Sequence, residues 1–330
     1  MSPRLRQLPP IAGARILGLG SRQPQHIVTN ADIAARGVQT TDEWIRERVG
    51  IVERHLARED ESVVDMAVDA GAKALADAGL APAEIDAVLV ATCTMPSPIP
   101  NAAGQTAERI GVRGAHAFDI NAACAGFCYG LGTASDMIRA GSARHVLVIG
   151  AEKLSDWVDP TDRSTCIIFA DGAGAVVVGP ADPDERPGIG PIAAGSAGDL
   201  VDTIVVANRH SFIRQEGQEV YRWAITEIAP VALRALALAG LTAADVDVLV
   251  PHQANLRIIE AIAKRMRAAG ARDDMVVADD IVRSGNTSSA SIPLALDHMR
   301  AEGRVGSGDL ALLVGFGAGL SYAGQAVVLP

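Results

Sequence analysis

The chain has 330 residues, 49% apolar and 21% charged, enough for two ordinary cores or one large duplicated one. Its 39 acidic against 29 basic side chains leave a net charge of −10, which argues against a nucleic-acid protein, since such domains carry a basic face that neutralises phosphates. No apolar run reaches the ~18 residues of a membrane span, and residues 1–10 lack the apolar segment of a signal peptide, so a cytoplasmic setting is expected.

The first informative stretch is KALADAGLAPAEIDAVLVA from Lys73, which returns ungapped as RALALAGLTAADVDVLVPH from Arg234, 161 residues later. Each copy predicts a helix with 3.6-residue spacing, a glycine stop, and a short apolar strand, over 87–90 or 248–250. Continuous apolar strands between helices imply a parallel sheet covered on both faces. The four cysteines, Cys93, Cys124, Cys128 and Cys166, fit a reducing compartment, and none has the paired spacing of a metal site.

Cys124 lies in Asp119-Ile120-Asn121-Ala122-Ala123-Cys124-Ala125-Gly126-Phe127, where an apolar strand gives way to a Gly/Ala-rich helix. A thiol in a helix's first turn meets unpaired N–H groups and the positive end of the dipole, which favour the attacking thiolate. Its small neighbours leave room for a substrate, and the same amides can hold an oxygen that becomes charged. A plain packing role stays open from position alone; Cys128, one turn on, is read as packing.

The strand predicted over 145–150 recurs loosely over 310–315, so two similar α/β halves are expected. Turn formers crowd residues 179–188, placing the boundary between halves 1–185 and 186–330, which should share a central helix layer. His252 directly follows a buried strand, where open α/β sheets place ligand-contacting residues, although a structural histidine would also sit there. The helix after it presents Arg257, Lys264 and Arg265 on one face. The 161-residue offset carries Cys124 onto Gly285, beside Asn286, in a run that is otherwise ordinary turn chemistry. The loop from Gly315 to Leu320 lacks dinucleotide-site spacing and is read as a source of a backbone N–H donor.

With AACAGF, PHQANLRII, GNTSSASIP and GFGAGLSYAG in that order, the chain resembles β-ketoacyl-acyl-carrier-protein synthase III, of the thiolase-like superfamily. The likeness runs from Asn30-Ala31-Asp32 and Asp42-Glu43-Trp44-Ile45 through Asp171-Gly172-Ala173-Gly174 to the C-terminus. It implies a five-layered αβαβα fold with two pseudo-symmetric halves. Asn286 points to the initiating branch, since thiolases carry a second cysteine there and elongating synthases a second histidine. The implied catalytic set is Cys124, His252 and Asn286, with an oxyanion hole of the Cys124 and Ala318 backbone N–H groups. Cys124 would take an acyl group from acyl-coenzyme A; His252 and Asn286 would hold the enolate left when malonyl-acyl carrier protein loses CO2.

The resemblance also implies a coenzyme A site at Trp44, Arg48, Arg163, Thr40, Gly217 and Asn255, and an acyl pocket at Ile99, Tyr221 and Phe316. Ile99 stands where part of the family has a phenylalanine crossing a dimer interface. The acidic carrier would dock on Gln253, Ala254, Asn255, Leu256 and Arg257, with Arg222, Lys264 and Arg265. A homodimer using no cofactor or metal, with coenzyme A thioester as substrate, is the implied form. Two other readings stand beside this: a polyketide starter ketosynthase using the same residues, and, more remotely, a papain-type cysteine hydrolase, whose signature is missing and which has no internal repeat.

Overall fold

Each repeat builds one five-stranded sheet, and the computed structural model, which describes residues 13–182 and 187–330, gives both sheets the same strand order. The first half runs β1 (Ala14–Arg22), β2 (His26–Thr29), α1 (Asn30–Ala35), α2 (Asp42–Val49), β3 (Glu53–Leu56) and α3 (Val63–Ala78). It continues with β4 (Ala87–Ala91), α4 (Ala102–Ile110), β5 (His116–Ile120), α5 (Gly126–Arg139), β6 (Val146–Lys153), α6 (Arg163–Cys166) and β7 (Asp171–Pro180). The second half holds β8 (Ala193–Ser196), β9 (Ile204–Val205), β10 (Arg214–Gln215), α7 (Gly217–Leu238), β11 (Val248–Pro251) and α8 (Leu256–Ala268). After these come β12 (Val276–Val277), α9 (Ile281–Ser284), α10 (Ser291–Ala301), β13 (Leu310–Gly317) and β14 (Ser321–Val328).

The sheets read β1-β7-β6-β4-β5 and β8-β14-β13-β11-β12. They are mixed rather than parallel: β4, β5 and β6 run together, as do β11, β12 and β13, while β7 and β14 pair antiparallel with both of their neighbours. In the second half the cause is local, because the turn joining β13 to β14 is too short for a crossover.

Side chains alternate along each strand and so reach two layers. Val146 and Val148 face the centre while Leu147 and Ile149 face α3; Ala311 and Leu313 face the centre while Leu312 and Val314 face α7 and α8. Helices α5 and α10 fill the middle layer with Phe127, Leu131, Ile292 and Leu296, packed against strands of both sheets. The result is α3/α4, sheet, α5/α10, sheet, α7/α8: the five layers expected. A satellite core of Val28, Ile45, Ile51, Ile259 and Ile281 fastens α2 beside α8. The boundary at 185/186 and the signal-peptide reading of residues 1–10 lie outside the described residues. Among the described residues no helix is long and apolar enough to cross a membrane.

The internal repeat holds its 161-residue offset through β4 and β11 and then lengthens. The 3-10 turns Ala123–Ala125 and Ser288–Ala290, and the helices α5 and α10 that follow them, stand 165 residues apart. Ala123 (φ 45°) and Ser288 (φ 50°), the two non-glycine residues with positive φ among those described, are 165 apart as well. The counterpart of Cys124 is therefore Ser289, not Gly285; the loop carrying α9 inserts the extra residues, and Asn286 lies two residues ahead of the equivalent turn.

Candidate active site

The turns that end β5, β11 and β13, with the loop before α10, converge on a cavity of about 530 Å³ lined by Cys124, His252, Asn286, Phe316 and Ala318. It shares Ile168, Gln215, Gly217, Tyr221 and Asn255 with a wider outer basin, where Trp44, Arg48, Arg163, Arg222 and Arg257 stand. Four of the basin's side chains are thus guanidiniums, on a protein of net negative charge.

Cys124 sits in the 3-10 turn that opens α5, held there by the left-handed backbone of Ala123. A non-glycine residue in that region costs on the order of 1–2 kcal/mol, which the surrounding packing must offset. Gly317 makes the close approach from the other half possible: a Cβ there would lie 2.7 Å from Cys124 Cβ, 2.8 Å from its N and 3.0 Å from Sγ. The next residue, Ala318, lines the cavity with Cys124.

The surroundings of Cys124 work against the expected thiolate. Cys124 is half-buried at the cavity wall, and desolvation, the largest influence, pushes its thiol up to about 12; the Ser288 hydroxyl bonded to it pulls down and the nearby Glu152 carboxyl pushes up again. One helix start does not outweigh removal from water.

His252 is buried more deeply, at 2% exposure, and burial lowers its pKa to about 3, so the imidazole is neutral. The His252 backbone N–H donates to Val314 O at 2.8 Å, its ring meets Phe316 edge-on at 5.2 Å, and Nδ1 lies 2.7 Å from Ser291 Oγ. Asn286 is fixed through its backbone to Ile168 and Ala170, and its Oδ1 accepts the Ser288 N–H at 2.9 Å. An N–H can only donate, so that bond settles the amide's orientation and leaves Nδ2 to face the cavity.

Sequence reasoning missed Glu152, at the end of β6 and fully buried. Its carboxyl gathers Thr94 Oγ1 at 2.6 Å, Ser289 Oγ at 2.8 Å, Ser288 Oγ at 3.1 Å and the Cys93 N–H at 3.1 Å. Burial raises its pKa while these bonds lower it. The signal was there, an acid closing the apolar run Val146-Leu147-Val148-Ile149. Also missed was the cavity's apolar wall of Leu154, Trp157, Phe169, Ile204 and Ile213, with the Trp157 indole N–H donating to Thr94 O at 3.1 Å.

Most expected binding residues gather at the outer basin. The Trp44 ring has the Arg163 guanidinium 4.7 Å and the Arg48 guanidinium 5.5 Å from its centroid. Asn255 caps α8 and donates to Arg48 O; Gly217 starts α7; Tyr221 lies under Arg257 at 5.3 Å. Arg222, Arg257, Lys264 and Arg265 are exposed, and Ala254 lines the inner cavity.

Four residues fall elsewhere. Gln253 is 0% exposed, tied by its side chain to Pro251 O and the Ile281 N–H, and cannot meet a carrier. Leu256 packs against Gly50 and the satellite core rather than presenting a docking side chain. Thr40 lines neither basin, and its hydroxyl is buried without a partner. Ile99 lines no part of the cavity in the single chain and is 79% exposed, because the loop before α4 carries it outward. Among the described residues no cluster of three His, Cys, Asp or Glu side chains could hold a metal ion.

A five-layered thiolase-like fold closing over Cys, His and Asn in one cavity defines a condensing enzyme of acyltransferase type. The chain belongs to the 3-oxoacyl-[acyl-carrier-protein] synthase III family, whose model matches residues 118–198 and whose C-terminal model matches residues 236–329. It is 50% identical to β-ketoacyl-[acyl-carrier-protein] synthase III 4 of Streptomyces coelicolor, over 96% of this chain and 99% of that one. It is 47% identical to the mycobacterial β-ketoacyl-[acyl-carrier-protein] synthase III of Mycobacterium bovis, over 97% of each. Among solved structures, a priming β-ketosynthase of a polyketide biosynthetic pathway superposes with TM-score 0.93 at 43% identity, covering 99% of both chains. The 3-oxoacyl-[acyl-carrier-protein] synthase III of Aquifex aeolicus gives 0.90 at 40% identity, covering 96% of this chain and 100% of that one. Fold and family together exclude the papain-type hydrolase.

Proposed function

We propose that the chain carries out the initiating decarboxylative Claisen condensation of type II fatty acid synthesis: acyl-coenzyme A and malonyl-acyl carrier protein give 3-oxoacyl-acyl carrier protein, coenzyme A and CO2. The observation that carries this reading is one cavity presenting a thiol beside two neutral side chains able to donate. Cys124 Sγ attacks the thioester carbonyl, the oxyanion rests on the Cys124 and Ala318 N–H groups, and the thiol proton ends on the departing coenzyme A sulfur. Loss of CO2 from the malonyl group leaves its electron pair as an enolate, held by His252 and Asn286. The enolate carbon attacks the acyl-Cys124 carbonyl, and the released sulfur recovers a proton.

Trp44 offers a face for adenine once a guanidinium yields its place on the ring, and Arg48 and Arg163 then sit beside the phosphates. Tyr221, Phe316 and the wall around Trp157 would bound the acyl group, with Ile99 reaching a neighbouring site across a homodimer. Arg222, Arg257, Lys264 and Arg265 form the face for an acidic carrier. The reaction needs no cofactor beyond its thioester substrate and would run in the cytoplasm. Priming of a polyketide pathway is the second reading, favoured by the TM-score of 0.93 to a priming ketosynthase; it uses the same residues with another primer.

Intact-protein mass spectrometry after incubation with acetyl-, propionyl-, isobutyryl- and longer acyl-coenzyme A tests the reading and ranks primers. A mass gain absent from Cys124→Ser is expected; no gain with any thioester would sink the proposal.

A further inference from the structure

A neutral imidazole has one proton, and the nitrogen that carries it decides whether His252 offers its cavity side as a donor or an acceptor. The contact between Nδ1 and Ser291 Oγ, at 2.7 Å, is compatible with either arrangement by itself. A second bond decides it. The Gln253 backbone N–H donates to the same Ser291 oxygen at 3.3 Å, and among the described residues the Ser291 hydroxyl has no acceptor other than His252 Nδ1.

If Nδ1 carried the proton, two N–H groups would point at one oxygen and the hydroxyl proton would be left unpaired on a residue only 1% exposed. An unsatisfied buried donor biases such an equilibrium by roughly ten- to a hundredfold. The favoured arrangement runs Gln253 N–H to Ser291 Oγ, then Ser291 O–H to Nδ1, leaving the proton on Nε2. The backbone makes this relay stiff. Gln253 is pinned by its side chain between Pro251 and Ile281, and Ser291 is the first residue of α10, five positions after Asn286. One loop therefore supplies an amide donor to the cavity and sets the histidine donor from behind.

We propose that Ser291 is a positioning residue that holds His252 in the Nε2–H tautomer, so that His252 and Asn286 face the cavity as two hydrogen-bond donors and His252 is not the base for Cys124. The identity of the oxyanion they hold rests on the condensing reading above; the tautomer does not.

The tautomer is read directly from nitrogen chemical shifts of the intact protein labelled with 15N-histidine, the His252 signals being assigned by their loss in His252→Gln. Wild type should show a protonated Nε2 and an unprotonated, hydrogen-bonded Nδ1. A protonated Nδ1 in wild type overturns the proposal whatever the protein's activity. In Ser291→Ala the Nε2–H form should lose its dominance, and turnover in condensation should drop roughly ten- to a hundredfold, the size of the bias, with Cys124 acylation and KM nearly unchanged. Ser291→Thr, which keeps the hydroxyl, should restore both spectrum and turnover. An alanine variant with wild-type spectrum and condensation, or one losing acylation and condensation equally, refutes the role.

Discussion

Replacing Gly317 by alanine tests whether the two halves are built to touch at the nucleophile. Gly317 has φ −176°, extended backbone that alanine adopts without strain, so only the added methyl group acts. That methyl would lie 2.7 Å from Cys124 Cβ, whereas ordinary contact begins at 3.4 Å, so the nucleophile turn or the end of β13 must yield by about 0.7 Å. Overpacking of this kind costs roughly 1–3 kcal/mol, a fall in Tm of several degrees. Because a shift near 1 Å at the reacting atoms can cost about 10²-fold, acylation of Cys124 should slow by at least about tenfold. Gly319→Ala is the matched control: its φ of +121° makes alanine strained, but its new methyl meets Ser321 and not Cys124. Time-resolved intact-mass measurement of acylation, beside thermal unfolding, separates the two. A folded Gly317→Ala protein acylating at the wild-type rate would show that the contact does not set the sulfur's position.

The neutral thiol predicts that alkylation of Cys124 by iodoacetamide rises nearly tenfold per pH unit from about pH 6 to 9; a plateau near neutrality would point to a pre-formed thiolate. His252→Ala and Asn286→Ala should still be acylated but lose about 10²–10³ in condensation, so loss of acylation in both refutes the division of labour. Arg257→Glu should weaken carrier-dependent condensation while sparing acylation by coenzyme A thioesters, and equal loss of both would count against docking there. His252 also bears on acid stability: unfolded, it takes a proton near 6.5; folded, not until about 3, so acidification through that window favours unfolding. Comparing urea midpoints at about pH 7 and about pH 4.5, His252→Gln should escape roughly 2–3 kcal/mol of the acid loss. Asp171, raised by burial to about 6, acts in the opposite sense, its stabilisation present below 3.8 and lost as pH rises through 6, but it is common to both proteins.

What the sequence made legible was local. The nucleophile turn, the strand-end histidine and the glycine loop are short runs whose residues must be adjacent to work, so the runs survive as motifs. The layer architecture was legible too, because the repeat marks which strands are apolar on both faces. The repeat misled at one point: it was counted from 73–91 and 234–252, and an insertion beyond those segments moved the true partner of Cys124 to Ser289. Gln253 shows a second limit, since a polar residue beside His252 reads as surface until the Pro251, Ile281 and Ser291 contacts bury it.

Charge was the least legible property, and it matters most for the chemistry. A helix start and a histidine suggest ions, but ionisation depends on the whole enclosing shell. That shell raises Cys124 to about 12 and lowers His252 to about 3, while also raising Glu152. The core of the site thus rests with an uncharged thiol, imidazole and amide, and under the proposed condensation its donors would face places where negative charge appears only during reaction. Uncharged donors suit that task better than a standing cation would: a buried ion must be stabilised at all times, whereas oriented N–H groups stabilise most when the oxyanion is present.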